Sequence, residues 1–538
     1  MFGPSSHVDT FARDNLPPVD QWPELSFDGV PELAYPERIN CASELLDKMV
    51  SSGSASDPLF HTVDGIITYG EFLSRSNRIA QVLKDDMGLV PGNRVLLRGA
   101  NTPELAAAWF GVVKSGGICV TTMPLLRERE LSFILRKAEV RHCLCDEAWS
   151  DEIKLAQKSV PNLSNVMYFG NPDASLEKAM SSKSDAFENL LTSADDVVLI
   201  AFTSGTTGDP KATMHFHRDV MAICDCFPNY VLKPSAADVF TGTPPFAFTF
   251  GLGAVLLFPM RFGASIALID KPSPDNLLSA IQDRKATICF TSPTAYRALM
   301  DNLDQFDISS LKKCVSAGET LPLPTYEAWL AKTGIKIIDG IGATEMLHIF
   351  ISASGNEIRP GATGKVVPGY DARVVDESGV EVEPGTVGLL AVRGPTGCRY
   401  LSDDRQRKYV RNGWNYTGDA YKMDDDGYFW FHSRADDMII SSGYNISGVE
   451  VERALLEHPN VKECGVVGVP DVKRGNIVKA FIVPREKIDM PEAAVKELQD
   501  FVKAEIAPYK YPRAVQFVSE LPKTETGKLQ RFKLREIG

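Results

Sequence analysis

Short apolar runs alternate with amphipathic segments through the first two thirds of the chain. The hydrophobic pattern predicts helices over 69–84 and 103–115, where apolar positions recur every three or four residues. Runs of four to six mainly apolar residues predict strands at 93–98, 117–121, 197–202, 265–269, 287–291 and 336–339. Strands of this length that alternate with helices are typical of parallel βαβ units. The pattern therefore predicts an α/β architecture of layered sheets.

From about residue 361 the pattern changes to short strands and turns, predicted at 370–375, 388–393 and 427–431. We expect this part to form a small β-barrel-like unit of the same large domain. Beyond 433–437, helical and strand patterns alternate again in a compact α+β stretch long enough for a domain of its own. The predicted division is an N-terminal domain over 1–432, a hinge over 433–436 and a small C-terminal domain over 437–538.

Length and charge narrow the class of function. A chain of 538 residues is too long for one hydrophobic core, which agrees with the predicted domains. Its net charge of -13 argues against a nucleic-acid partner, because such proteins need a basic field to neutralise phosphates. No apolar run approaches the roughly 20 residues that span a bilayer, and the N-terminus lacks the features of a secretory signal. We expect a cytoplasmic protein without a membrane partner, either a monomer or a homodimer, that acts on small molecules.

Ten cysteines are spread along the chain, and two pairs are separated by a single residue. These are Cys143 with Cys145, and Cys224 with Cys226, and histidines precede both pairs. Zinc sites usually space their cysteines by two to four residues, so that both thiolates reach one ion. The shorter gap fits such a site poorly, and we expect buried thiols.

The most informative segment is Leu199 to Lys211, which reads Leu-Ile-Ala-Phe-Thr-Ser-Gly-Thr-Thr-Gly-Asp-Pro-Lys. An apolar strand leads into a loop of glycines and hydroxyl residues that ends in a lysine. Glycines let backbone N–H groups turn toward one point, and hydroxyls and a lysine add donors and charge. The spacing differs from the Walker pattern, and a hydroxyl-rich surface turn is the alternative interpretation. We expect a triphosphate site made by Thr203, Ser204, Gly205, Thr206, Thr207, Gly208 and Lys211.

The segment TSGTTGDPK resembles the signature loop of the adenylate-forming superfamily, which contains acyl- and aryl-CoA ligases, peptide-synthetase adenylation domains and luciferases. Four further segments resemble motifs of that superfamily in the same order along the chain: 316–320, 339–346, 414–419 and 521–531. The resemblance extends over nearly the whole chain. It implies an enzyme that joins a carboxylic acid to AMP using ATP and Mg²⁺, and then passes the acyl group to a thiol.

The motif Asp339-Gly-Ile-Gly-Ala-Thr-Glu-Met346 implies that Thr344 contacts the α-phosphate and that Glu345 binds Mg²⁺. A divalent cation suits the reaction, because a carboxylate must attack a polyanion. Many members have tyrosine where this chain has Ile341, which we interpret as a change in the face that stacks on adenine. By the same resemblance the nucleotide pocket includes Gly318, Glu319, Thr320, Gly342 and Ala343.

The segment 414–419 resembles the superfamily's ribose motif. Asp419 would accept hydrogen bonds from both ribose hydroxyls, since a carboxylate has two acceptor oxygens. Arg434 resembles the second ribose contact. Asp436 falls at the hinge position, although its neighbourhood is also typical of a solvated turn.

The resemblance implies a mobile C-terminal domain that carries the catalytic Lys528. This lysine would bridge the attacking carboxylate and the α-phosphate, although a lysine so near a C-terminus is otherwise typical of a solvated tail. After adenylation the domain would swing and present Ser442, Gly443 and Tyr444 to CoA. No carrier-protein segment follows within the 538 residues, which favours free CoA as the thiol.

The acid pocket is predicted within Pro244–Gly253, where three phenylalanines alternate along a run that we expect to be extended and to share one face. A core strand explains the same pattern. The resemblance implies that Phe248 forms a wall of the acyl pocket, together with Ala317 and His348. An aromatic wall suits a flat ring. His348 is a candidate donor to a ring substituent or carboxylate, or else a satisfied structural residue.

Within the superfamily the chain resembles aryl-CoA ligases, those for 2-aminobenzoate first and those for benzoate next. The segments 7–18, 245–251 and 343–350 carry this finer likeness. Benzoate or another acyl or aryl acid, and a carrier protein in place of CoA, remain open alternatives. A non-catalytic adenylate-binding sensor would have a broken catalytic set, whereas this chain has all four charged residues of the motifs, Lys211, Glu345, Asp419 and Lys528.

Overall fold

The computed structural model describes residues 3–203, 210–269, 271–434, 437–441, 444–471, 474–488, 490–506, 508–523 and 529–537. Within these residues the strands, in chain order, are β1 Pro58–His61, β2 Ile66–Thr68, β3 Arg94–Arg98, β4 Ile118–Thr122, β5 His142–Asp146, β6 Asn165–Phe169, β7 Val197–Thr203, β8 Lys211–Phe216, β9 Val239–Gly242, β10 Ser265–Ala267, β11 Ile288–Thr291, β12 Lys313–Ala317, β13 Ile337–Gly342, β14 Ile349–Ser352, β15 Lys365–Val366, β16 Asp371–Val375, β17 Val387–Arg393, β18 Val410–Arg411, β19 Trp414–Met423, β20 Phe429–Arg434, β21 Met438–Ser441, β22 Tyr444–Ser447, β23 Val461–Asp471, β24 Gly475–Pro484 and β25 Ala514–Phe517. The α-helices are α1 Phe11–Asp14, α2 Lys48–Ser51, α3 Tyr69–Gln81, α4 Pro103–Lys114, α5 Glu128–Lys137, α6 Ser150–Ser159, α7 Ser175–Met180, α8 His217–Asp225, α9 Thr249–Leu252, α10 Phe258–Arg261, α11 Pro274–Arg284, α12 Pro293–Asn302, α13 Leu323–Thr333, α14 Gln406–Tyr409, α15 Gly448–Leu456, α16 Pro491–Glu505 and α17 Arg531–Ile537.

The first layer is a six-stranded sheet in the order β6-β5-β3-β4-β7-β8. Only β8 is antiparallel to its neighbour. Helices α4, α5 and α6 connect successive strands from β3 to β6, because a parallel pair needs a crossover. Helix α4 begins where the Thr102 side chain accepts a hydrogen bond from the Leu105 N–H, with Pro103 as its first residue. The βαβ arrangement predicted from the apolar runs is confirmed here.

The second layer is a nine-stranded sheet in the order β15-β14-β13-β12-β11-β9-β10-β1-β2. The six strands from β13 to β1 in that order are parallel, and antiparallel strands close both edges. Helices α11, α12 and α13 each lie between two of its parallel strands in the sequence. The carboxyl ends of β12 and β13 therefore lie side by side at one edge, which is where open α/β sheets bind ligands.

The third layer is a five-stranded antiparallel sheet and is the part predicted to be barrel-like. Strand β19 pairs with β17, β18 and β20, and β16 completes the sheet beside β17. The predicted strands near 370, 388 and 427 correspond to β16, β17 and β20. Short connections over 412–413 and 424–428 join β18 to β19 and β19 to β20, and connections of that length suit antiparallel strands because a parallel pair needs a longer crossover.

The C-terminal part has a sheet of its own in the order β22-β21-β24-β23, with β25 parallel to β24. Helices α15 and α16 contribute Val451, Leu455 and Val502 to a separate hydrophobic cluster on this sheet. The sheets change between the end of β20 at Arg434 and the start of β21 at Met438. The predicted domain limits stay a prediction, and this change of sheet is consistent with them.

The prediction of an extended run over 244–253 is wrong. Residues 246–248 form a turn, and α9 follows it. The Phe248 N–H donates to the Pro245 carbonyl at 3.0 Å and the Phe246 N–H donates to the side chain of Asn101, so the segment does not pair with a strand. The three phenylalanines consequently do not share one face.

All ten cysteines are buried free thiols. Cys143 and Cys145 lie in β5, and burial raises the pKa of the Cys145 thiol to about 12. Cys224 lies in α8, and burial raises the pKa of its thiol as well. Among the described residues no helix has the length and apolarity needed to cross a membrane.

Candidate active site

Strands β7 and β8 hold the two ends of the predicted phosphate loop. Thr203, the last residue of β7, pairs directly with Lys211, the first residue of β8. Both residues are half-buried, Thr203 after the buried residues of β7 and Lys211 before the buried residues of β8. The predicted loop residues between them, Ser204, Gly205, Thr206, Thr207 and Gly208, lie outside the described residues. The strand pair thus brings the loop's lysine back beside the loop's first hydroxyl residue.

Lys211 and Glu345 are both hydrogen-bonded to the Tyr400 hydroxyl. The Lys211 Nζ donates to Tyr400 Oη at 3.2 Å, and Tyr400 Oη donates to Glu345 Oε1 at 2.5 Å. Burial, and then the neighbouring Glu345 carboxylate, raise the pKa of Tyr400, so the phenol keeps its proton. Glu345 itself is only 8% exposed. The arrangement therefore presents a cation and a carboxylate joined by one neutral donor and acceptor.

The turn that carries Thr344 and Glu345 follows directly from β13. Gly342 ends this strand, and a Cβ there would lie 2.7 Å from the His348 carbonyl oxygen, so the position requires glycine. Ala343 is extended and Thr344–Met346 forms a short 3₁₀ turn. Leu347 next to it has a φ of 69° with a fully buried side chain, a costly backbone conformation of the kind that clusters at functional sites. The turn is therefore tightly constrained by its surroundings.

A buried network of charged and polar side chains supports this turn from β8. His215 Nε2 lies 2.8 Å from the Thr344 carbonyl oxygen, and because a carbonyl only accepts, Nε2 is the donor. Asp219 lies 3.8 Å from the other ring nitrogen, Nδ1, and accepts a hydrogen bond from Arg399 Nη1 at 2.7 Å. Burial raises the pKa of Asp219, but Arg399 and His215 outweigh it and hold that pKa below its usual range. Asp219 is thus ionised within the core.

Asp419 and Arg434 stand opposite each other on β19 and β20. Arg434 Nη1 donates to Asp419 Oδ1 at 2.9 Å and to the Thr417 carbonyl at 3.2 Å. Gly418, which precedes Asp419 in the sequence, has a φ of 78°, and a Cβ there would lie 2.9 Å from Arg434 Nη2. The two residues predicted to bind ribose are therefore adjacent, and a glycine allows their close approach.

The predicted adenine side lies at the edge where β12 and β13 end. Ala317, the last residue of β12, pairs with Gly340 of β13. The next residues, Gly318, Glu319 and Thr320, leave the sheet at this edge, where Glu319 Oε2 accepts a hydrogen bond from Thr294 Oγ1 at 2.8 Å. The structure thus brings the 316–320 and 339–343 segments together.

Asp339 and Tyr421 connect this edge to the antiparallel sheet. Burial raises the pKa of Asp339 to about 7, against an opposing effect of Arg453 from α15. Burial also raises the pKa of Tyr421, with further contributions from Asp419 and Asp339. The charges of Asp419 and Asp339 thus act on the same phenol, one from the predicted ribose region and one from the predicted adenine region.

His348 lies inside a cage of aromatic rings. Its ring centroid is 4.4 Å from that of Phe258, 5.6 Å from Phe250 and 6.0 Å from Phe227. Burial lowers the pKa of His348 to about 3, so the imidazole is neutral, and its Nε2 lies 3.2 Å from the Phe250 carbonyl oxygen. The single N–H is engaged by that carbonyl. His348 consequently offers an acceptor, Nδ1, and not a donor, which was one of the two roles that the sequence left open.

Phe248 is half-buried. The turn that carries it is held by the side chains of Asn101, which follows β3, and of Thr121, which lies in β4. Asn101 Nδ2 donates to the Pro244 carbonyl at 2.9 Å, and Asn101 Oδ1 accepts from the Phe246 N–H at 2.8 Å. Thr121 Oγ1 donates to the Ala247 carbonyl at 3.1 Å. The predicted pocket wall is therefore a clamped turn.

Four predicted residues of the C-terminal region and hinge, Lys528, Asp436, Ser442 and Gly443, lie outside the described residues. Tyr444 begins β22, where its backbone pairs with Ser441. The C-terminal part contacts the antiparallel sheet through Ser447, whose hydroxyl donates to the His432 carbonyl. The catalytic, hinge and CoA-binding roles of the predicted residues in this part of the chain stay predictions.

The sequence reasoning missed Tyr400, His215, Arg399 and Asn101. One signal was available for His215, because a histidine inside the apolar strand that follows the phosphate loop is unusual for a buried position. No local pattern marks the others, since their partners in the site lie 55 to 189 residues away.

Comparisons with known proteins find similar proteins over nearly the whole chain. A family model described as AMP-binding enzyme matches residues 53–400, and one described as AMP-binding enzyme C-terminal domain matches residues 450–528. A benzoate–CoA ligase of Thauera aromatica is 34% identical over 512 residues, which cover 94% of this chain and 97% of that protein. A mitochondrial acyl-coenzyme A synthetase of Mus musculus is 32% identical over 530 residues, which cover 94% and 91%. The crystal structure of an anthranilate CoA ligase in complex with anthranoyl-AMP superposes with a TM-score of 0.89 at 34% identity, covering 94% of this chain and 98% of that one.

Proposed function

This chain belongs to the AMP-binding enzyme family, and from that premise we propose that it activates an aromatic carboxylic acid with ATP and transfers the acyl group to coenzyme A. The observation that carries the proposal is the Lys211–Tyr400–Glu345 arrangement beside the two ends of the predicted phosphate loop. It offers a cation for phosphate oxygens and a carboxylate for a metal ion at one place, which phosphoryl chemistry on ATP requires.

In the first half-reaction a carboxylate oxygen of the acid attacks the α-phosphorus of ATP. The bond from that phosphorus to the bridging oxygen breaks, and acyl-AMP and pyrophosphate form. Lys211 stabilises the phosphate oxygens by its charge, and the Thr344 hydroxyl contacts the α-phosphate. Asp419 and Arg434 hold the ribose, and Lys528 bridges the acid and the α-phosphate. These roles follow from the motifs, and the adjacency of Asp419 and Arg434 supports them.

Glu345 suits Mg²⁺ by its donor chemistry. Magnesium is usually held by one or two carboxylates together with substrate phosphates, and the bond from Tyr400 engages only the Oε1 atom of Glu345. When bound, the ion would spread the charge that develops on the phosphates. Glu345 is the residue that would hold it.

In the second half-reaction the thiol of coenzyme A attacks the acyl carbonyl carbon, and AMP leaves with the electrons of the broken acyl–oxygen bond. The proposal assigns Ser442, Gly443 and Tyr444 to the passage of the pantetheine arm. Glycine at 443 would let this thin chain approach the backbone.

We favour 2-aminobenzoate as the acid. The likeness to an anthranilate CoA ligase supports this choice, and so does the chemistry of His348, whose buried Nδ1 has no hydrogen-bond partner among the described residues. An unpaired buried acceptor costs about 1–3 kcal/mol, which an N–H of a bound 2-amino group would recover once the pocket opens around it. Benzoate lacks this donor.

A substrate panel tests both levels of the proposal. Pyrophosphate exchange is measured with 2-aminobenzoate, 2-methylbenzoate, benzoate and octanoate, first without and then with CoA. We expect 2-aminobenzoate to have the highest kcat/KM, about tenfold above 2-methylbenzoate, which has the same shape but no N–H donor. Equal rates with those two acids would exclude a role for the His348 acceptor.

Other results of the same panel would change the class of activity. A preference for octanoate would replace the aromatic acid by a fatty acid. Exchange without thioester formation on addition of CoA would indicate another acyl acceptor, and an absence of exchange with every acid would contradict the proposed adenylation.

A further inference from the structure

Tyr400 separates two opposite charges that would otherwise pair. Lys211 and Glu345 both hydrogen-bond to the same hydroxyl, and no ion pair between them occurs among the described residues. A direct Lys–Glu pair would give each side chain a protein partner in place of its ligand. With the phenol between them, the ammonium and the carboxylate stay close together and each keeps capacity for other partners.

The hydroxyl of Tyr400 is held in place from several directions. Its ring lies edge-to-face against Tyr409 with 5.8 Å between centroids, and its backbone N–H donates to Gln406 Oε1 at 2.9 Å. Arg399 next to it is fixed by Asp219, and Tyr400 pairs with Thr213 of β8. The backbone of Tyr400 and one side of its ring are therefore fixed by neighbouring residues.

Strand β8 fixes the same turn at a second point. Lys211, Thr213 and His215 alternate along β8 and so lie on one face of it. Lys211 reaches Glu345 through Tyr400, and His215 binds the Thr344 carbonyl. The side chain of Glu345 and the backbone before it are thus held by one strand.

We propose that Tyr400 is a positioning residue that sets the Glu345 carboxylate and the Lys211 ammonium at the spacing needed for magnesium-bound triphosphate while preventing them from pairing. The inference rests on the proposed adenylation. Without the hydroxyl, Glu345 would lose its only donor among the described residues and Lys211 would be free to move toward it. Both changes act on the triphosphate state, and neither touches acyl-AMP or CoA.

The test compares Tyr400→Phe with Tyr409→Phe. Tyr409 is a matched control, because it is buried in the same stack and its hydroxyl has no hydrogen-bond partner among the described residues. Calorimetry measures binding of a non-hydrolysable ATP analogue at graded Mg²⁺, and of AMP without Mg²⁺. Separate assays follow adenylation and thioester formation from supplied acyl-AMP, and thermal unfolding reports the stability of each variant.

For Tyr400→Phe we expect adenylation to fall at least about tenfold, which is the scale of one hydrogen bond to a charged group. Binding of the magnesium-bound analogue should weaken by a similar factor, whereas AMP affinity and thioester formation stay within twofold of wild type. In a Glu345→Gln background, Tyr400→Phe should have little further effect on adenylation, because the hydrogen bond that it removes is to the charged carboxylate of Glu345. Tyr409→Phe should match wild type in all assays.

Four results would overturn the inference. The first is an unchanged Tyr400→Phe enzyme. The second is an equal loss in both half-reactions, and the third is a loss of folded protein that Tyr409→Phe does not share, because the hydroxyl would then be structural. The fourth is an undiminished effect of Tyr400→Phe in the Glu345→Gln background. A wild type that adenylates no acid would instead contradict the proposed function, so the two failures are distinguishable.

Discussion

Asn101→Ala should weaken acid binding while leaving nucleotide binding intact. Asn101 is 6% exposed, and its side chain bonds to both the Pro244 carbonyl and the Phe246 N–H of the turn before Phe248. Removal of the amide leaves one buried acceptor and one buried donor without partners. A stranded buried group costs about 1–3 kcal/mol, so the two together cost about 2–6 kcal/mol if water stays out.

We expect this free energy to be lost from the stabilisation of the turn, so that the turn shifts. The turn forms the proposed wall of the acid pocket. At the lower value of about 2 kcal/mol the KM for the acid would rise about 30-fold. Steady-state pyrophosphate release measures this KM with ATP saturating, and the KM for ATP with acid saturating. We expect the KM for ATP to stay within twofold. Thr121→Val, which removes one hydrogen bond to the same turn, should have a smaller effect in the same direction.

Two outcomes would refute this reasoning. An unchanged KM for the acid would show that the turn keeps its position without the amide. Equal rises in both KM values would show that the substitution disturbs the whole domain, and thermal unfolding of the variant would then report a matching loss of stability.

The remaining predictions concern the nucleotide site, the C-terminal lysine and acid stability. Arg434→Gln should raise the KM for ATP about tenfold or more through loss of its bond to Asp419; an equal rise for Arg411→Gln, at an exposed arginine of the same sheet, would contradict a specific role. Lys528→Ala should abolish adenylation and leave thioester formation from supplied acyl-AMP largely intact; an equal loss in both assays would contradict the two-step division. Burial lowers the pKa of His142 from 6.5 to about 4, so between these pH values the unfolded chain binds a proton that the folded chain does not. Stability should therefore fall as the pH falls through that window, with a slope about 1.4 kcal/mol per pH unit steeper than in His142→Gln, and equal slopes in denaturant titrations would refute the assignment.

The extent to which sequence predicted the fold depends on how local each signal is. The strands β3, β4 and β11 were predicted because continuous apolar runs bounded by helices leave few alternatives to buried parallel strands. The segment 244–253 was predicted wrongly because its signal was also purely local. Its alternating phenylalanines fit a strand, but Asn101 from another layer binds the backbone that a neighbouring strand would need.

The candidate site divides in the same way. The motifs identify Lys211, Glu345 and Asp419 by residue type and spacing, which are visible along the chain. The sequence also raised two roles for His348, and only the structure distinguishes them, because the Phe250 carbonyl occupies its N–H. A tautomer depends on which partner lies within hydrogen-bond reach, and no pattern along the chain records that.

By itself, the sequence determined the family resemblance, the layered α/β architecture and the charged residues of the nucleotide motifs. These follow from local chemistry, since glycine, hydroxyl and lysine spacing sets what a loop can bind and apolar periodicity sets which face is buried. Only the tertiary structure placed Tyr400 between Lys211 and Glu345 and His215 beneath Thr344. Such contacts join residues more than 50 positions apart, and they exist only because packing of separate sheets brings buried polar groups to the partners that they need.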